Sequence, residues 1–84
     1  MKPVCREAEI FGAALKRWRE NRGLSQDGLA KLAGIASSYA SHVERGEQVP
    51  SLTIILKLSL ALNLTPGELL ADFTAVSMKK LRFD

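Results

Sequence analysis

Apolar residues early in the chain fall at Phe11, Ala14, Leu15 and Trp18, a spacing that puts them on one face of a helix running from Phe11 to Asn21 or Arg22, where Gly23 ends it. Ser25 is placed to cap the next helix, and Asp27 suits the positive end of its dipole. Leu29, Ala30 and Ala33 face inward until Gly34 stops that helix. A third helix, Ala36 to Arg45, turns Tyr39, Ala40 and Val43 to one side and Ser37, Ser38, Ser41, His42 and Arg45 to the other, and Gly46 breaks it.

Pro50 and Ser51 open a fourth helix, Leu52 to Leu62, which is apolar except at Thr53, Lys57 and Ser59 and cannot show every side to water. Thr65-Pro66-Gly67-Glu68 has the form of a capping box with proline at the first helical position, so a fifth helix is expected through Phe73. The tail TAVSMKKLRFD is too short and mixed to assign and leaves a frayed end, a short helix or a strand open. The expected organisation is an N-terminal extension (1–9), an all-α five-helix domain (10–73) and a C-terminal tail (74–84).

With 84 residues, 46% of them hydrophobic, there is material for one core and not two. Cys5 is the single cysteine and cannot close an internal disulfide, no apolar run reaches membrane-spanning length, and Glu7 and Glu9 interrupt any export signal, so a cytoplasmic location is expected. The net charge of +3 permits a polyanionic partner without demanding one. That surplus is already reached within residues 1–34, where Lys2, Arg6, Lys16, Arg17, Arg19, Arg22 and Lys31 outnumber Glu7, Glu9, Glu20 and Asp27, although a cluster of this size also suits a solvated helix face.

Little in the composition supports an enzyme: there is one histidine, no paired acidic cluster, no phosphate-cradling glycine loop and no metal-ligand spacing. No cofactor or metal is expected, because His42 has no second nitrogen or thiolate ligand nearby. Trp18, at helical spacing with Phe11 and Leu15, is read as core.

From Phe11 to Leu70 the chain resembles the XRE-type helix-turn-helix family of phage repressors, Cro proteins and restriction-modification controllers. The resemblance is carried by Phe11-Gly12, Leu15, Trp18-Arg19, Gly23-Leu24-Ser25-Gln26, Leu29-Ala30, Gly34-Ile35 and Val43-Glu44-Arg45-Gly46, and continues at Pro50, Ala61-Leu62, Leu64 and Leu69. It implies a lambda-repressor-like fold in which the short connection Ala33-Gly34-Ile35 sets two helices at a large angle, so that the second enters a DNA major groove.

By matching position, Ser37, Ser38, Ser41 and His42 are expected to read bases, while Ser25, Gln26, Tyr39, Arg45 and Gln48 contact the DNA backbone. Arg19 and Glu44 match a structural salt bridge of the family. Serine hydroxyls discriminate bases less sharply than bidentate side chains, so water and DNA shape are expected to supply part of the specificity.

The chain departs from the family pattern in several places. Gly28 stands where a capping glutamate is usual, Ala36 where a capping serine or threonine is, and Ala40 underfills a position usually held by isoleucine. Ile54, Leu56 and Leu60 are apolar at often polar positions, which with Leu64 and Phe73 points to a homodimer interface and a palindromic operator with half-sites about 34 Å apart. The expected function is transcriptional regulation through double-stranded DNA. A second reading is an antitoxin that represses its own operon while its tail from Val76 to Phe83 binds a toxin as protein partner.

Overall fold

Acidic side chains near a helix N-terminus stabilise it, and Glu7 and Glu9 occupy the first turn of α1 (Arg6–Asn21), which therefore begins ahead of Phe11, inside the segment expected to be an extension. Ala8 is buried in register with Phe11, Gly12 and Leu15, extending the apolar face by one turn. The computed structural model describes residues 2–83. After α1 it places α2 (Gln26–Ala33), α3 (Ser37–Glu44), α4 (Leu52–Ala61), α5 (Pro66–Leu69) and α6 (Ala75–Lys79), six helices among the described residues where five were expected.

The added helix arises near the C-terminus. The fifth helix stops at Leu69 rather than running through Phe73, and the chain turns so that Thr74 caps α6. Thr74 Oγ1 accepts from the Ser77 amide at 3.1 Å while Ser77 Oγ accepts from the Thr74 amide at 3.0 Å. The unassigned tail is thus partly a short helix. Among the described residues no helix is long and apolar enough to cross a membrane.

The first four helices end in the same way. In each, the amide just past the end bonds back three residues and the following amide bonds back five: Gly34 to Lys31 and Ile35 to Ala30, then Gly46 to Val43 and Glu47 to His42, with Gly23–Leu24 and Asn63–Leu64 repeating the arrangement. The turn needs a left-handed residue, which is why Gly34 sits at φ +69° with no atom near the place of a Cβ. It reverses the chain within three residues and lets α3 pack against both α1 and α2.

Phe11, Leu15, Leu29, Ala33, Val43, Leu58, Leu62 and Leu69 form the core, with Trp18, Ile54, Leu64 and Phe73 packed half-buried against it. Each fully enclosed leucine contributes about 1.5–3 kcal/mol. Ala40, expected to underfill its site, is completely enclosed. Gly12 marks the tightest approach: a Cβ there would lie 2.4 Å from the Val43 carbonyl oxygen and 2.5 Å from that of Glu44. The end of α3 is seated directly on the backbone of α1.

Candidate nucleic-acid interface

α3 is anchored by Ala40 and Val43, both fully enclosed, while Ser37 and Ser38 are exposed and Ser41, His42 and Tyr39 are half-exposed. The helix thus carries a short polar strip held outward by a small apolar base. Nothing on the Ala36 side chain caps its N-terminus. The Ser37 hydroxyl instead donates to Asp27 of α2, and Asp27 also pairs with Lys31 Nζ at 3.4 Å. The Ser37 bond, then Lys31, hold the Asp27 carboxyl below its ordinary pKa.

At the other end, Arg19 Nε and Nη2 donate to the Glu44 carboxylate at 2.6 and 3.2 Å, and Nη1 donates to the Leu24 carbonyl at 2.7 Å. The two side chains are 11% and 2% exposed, so the bridge ties α1 to the end of α3 out of water. The hydrogen bond to Glu44 raises the Arg19 pKa against the opposing effect of burial. Gln26, expected at the DNA backbone, donates its side-chain amide to Glu44 at 3.1 Å, which leaves its carbonyl oxygen and its second N–H for other partners.

Arg45 is also engaged. Its Nε and Nη2 donate to the two Glu47 oxygens at 3.0 and 3.1 Å, and Nη1 donates to the Ser41 hydroxyl. His42 Nδ1 lies 2.7 Å from the same Glu47 carboxylate. Arg45, then His42, lower the Glu47 pKa to about 2. Ser25 caps α2 by accepting the Gly28 amide at 2.9 Å, and Gln48 is exposed just beyond this network.

Sequence reasoning missed Glu47 altogether. Its only sign was a glutamate two places after an arginine in a turn, an ordinary pattern; the helix-ending turn at Gly46 is what folds it back over His42. The basic surplus of the N-terminal half is also less available than its count suggests, since Arg6, Arg17, Arg19 and Lys31 each pair with a carboxylate. The apolar residues assigned to a dimer interface separate into two sets. Ile54, Leu64 and Phe73 pack on the protein's own core, whereas Leu56 and Leu60 are 47% and 82% exposed and align with Leu52, also missed, at 70%.

A family model for helix-turn-helix proteins matches residues 15–69. The chain is 40% identical over 63 residues to YazB of Bacillus subtilis (strain 168), named as an uncharacterized HTH-type transcriptional regulator, covering 75% of this chain and 91% of that one. It spans 58% of the length of the HTH-type transcriptional regulator SinR from the same organism, at 37% identity. Among solved structures, the restriction-modification controller protein C.AhdI from Aeromonas hydrophila superposes with a TM-score of 0.74 at 46% identity, covering 75% of this chain and 96% of that one. SinR, solved in complex with DNA, superposes with a TM-score of 0.68 at 38% identity over 71% of this chain and 97% of that one. The spacing of the apolar positions, the glycine-turned α2–α3 pair and these likenesses agree: the chain belongs to the XRE-type helix-turn-helix family.

Proposed function

We propose that this protein is a DNA-binding transcriptional regulator that acts as a homodimer on a palindromic operator, with α3 as its reading helix. The observation that carries the reading is the polar strip of Ser37, Ser38, Ser41 and His42 on a helix seated by Ala40 and Val43 and locked at its end by Arg19–Glu44. One helix of that width fits a major groove. Ser25, Gln26, Tyr39, Arg45 and Gln48 lie around the strip in sequence and supply donors to phosphate oxygens, with Arg45 exchanging its bonds to Glu47 for a phosphate.

Leu52, Leu56 and Leu60 recur every four residues along one side of α4, an exposed apolar stripe suited to a two-fold contact with the same stripe of a second copy. Pairing two copies would place two reading helices on successive turns of one DNA face. The named relatives are regulators and a controller protein, which favours this reading over the antitoxin. Selection of bound duplexes from a random pool tests it: an inverted repeat that binds with salt-sensitive affinity is expected, and absence of binding to any duplex overturns it.

A further inference from the structure

The helix-ending turn at Gly46 brings the Glu47 amide to the His42 carbonyl at 2.9 Å and lays the Glu47 carboxylate across the imidazole. The Glu47 side chain is only 7% exposed, whereas the ring is 42% exposed. An ionised carboxylate only accepts hydrogen bonds. Its oxygen lies 2.7 Å from Nδ1, a distance at which two facing lone pairs repel, so the proton of the neutral ring resides on Nδ1. Arg45 Nη2, 3.3 Å from Nδ1, finds its acceptor in the same Glu47 oxygen at 3.1 Å and does not require a lone pair on the ring. Without such a partner both tautomers are open to a neutral imidazole. Among the described residues Nε2 makes no hydrogen bond.

We propose that Glu47 is a specificity-determining positioning residue: by accepting the Nδ1 proton it fixes the tautomer in which His42 presents Nε2 as an acceptor, so that His42 selects a base offering an amino donor in the major groove. Those donors are the N4 amino group of cytosine and the N6 amino group of adenine, whereas the guanine edge offers only acceptors. The specificity role rests on the DNA-reading function above; the tautomer does not.

Two measurements test it. His42 is the only histidine, so its ring nitrogens are unambiguous in a nitrogen-edited NMR spectrum of the free, untagged protein. At alkaline pH the spectrum is expected to show the Nδ1-protonated form, moving toward a tautomer mixture in Glu47→Ala; a wild-type ring protonated on Nε2 overturns the proposal without any variant. In random-pool selection, one base pair of the operator is expected to be favoured by roughly tenfold, the contacted amino group lying on either strand. That preference disappears in His42→Ala and falls to within about threefold in Glu47→Ala, while other positions keep theirs. Glu47→Ala also releases Arg45 and strengthens binding evenly across sequences, which a merely structural or charge role would equally produce, so only the change at the one position counts. A preference intact in Glu47→Ala, or no position at which His42→Ala and Glu47→Ala both lose discrimination, overturns the proposal. Absence of all duplex binding removes the DNA-reading function and the specificity role with it, and the spectrum still reports separately whether Glu47 holds the ring.

Discussion

Arg19 and Glu44 meet in a two-point bridge, 2.6 and 3.2 Å, that is almost closed to water and fastens the far end of α3 to α1. Removing one partner leaves a buried charge uncompensated. Arg19→Ala or Glu44→Ala is expected to lower stability by ~3–5 kcal/mol, seen as a fall in melting temperature of more than about 10 °C. Replacing both with apolar residues of similar size is expected to recover most of it. If either single variant melts like the wild type, the bridge is not what holds α3.

The same contact has a steric counterpart at Gly12, where a methyl group would collide with the Val43 and Glu44 carbonyls. Gly12→Ala therefore forces α3 away from α1. A loss of about 1–3 kcal/mol in denaturant unfolding is expected, despite the better helix propensity of alanine. A gain in stability would show that the two backbones are not in contact.

Glu47 makes folding sensitive to acid. Its pKa falls in the folded protein to about 2, so the native state favours the charged form, and the stabilisation is present above the ordinary carboxylate range and lost as pH drops toward 2. Asp27 and Glu68 shift in the same direction. Glu47→Gln is expected to be less stable at pH 7 and to lose stability less steeply between about pH 5 and pH 2. Parallel curves for the two proteins would contradict the assignment.

Phosphate and base contacts separate by their salt dependence. Arg45→Ala is expected to weaken binding evenly across duplexes and to reduce the slope of log affinity against log salt by about 1 per protomer. His42→Ala is expected to change sequence preference and leave that slope alone. Titrations at three or more salt concentrations distinguish the two.

A charge in the α4 stripe tests the pairing of copies. Leu60 is the most exposed of the three leucines, so Leu60→Glu should leave the monomer folded while abolishing self-association in sedimentation equilibrium. Affinity for a full palindrome should fall toward that for a half-site. A variant that still dimerises would place the interface elsewhere.

Periodicity and caps in the sequence were enough to locate the first four helices, because each ends at a residue suited to a left-handed turn and α2 and α4 begin at serine caps that the structure retains. They failed where structure depended on less regular signals. The start of α1 was hidden because Glu7 and Glu9 read as polar interruption rather than as a first turn, and α6 because Thr74 and Ser77 form a capping pair only when Leu70–Phe73 turns instead of continuing as helix. The outward set on α3 was readable from its spacing. Its internal bonding was not: Ser37 to Asp27, Arg45 to Ser41 and Glu47 to His42 depend on how turns fold side chains back, which spacing does not encode.

Mapping amide chemical-shift changes while a selected duplex is added to the isotope-labelled protein addresses the role of α3 most directly. The largest changes should fall on Ser37, Ser38, Ser41 and His42, with smaller ones at Ser25, Gln26 and Gln48. Changes gathered on α4 or the tail, with α3 unperturbed at saturation, would contradict it.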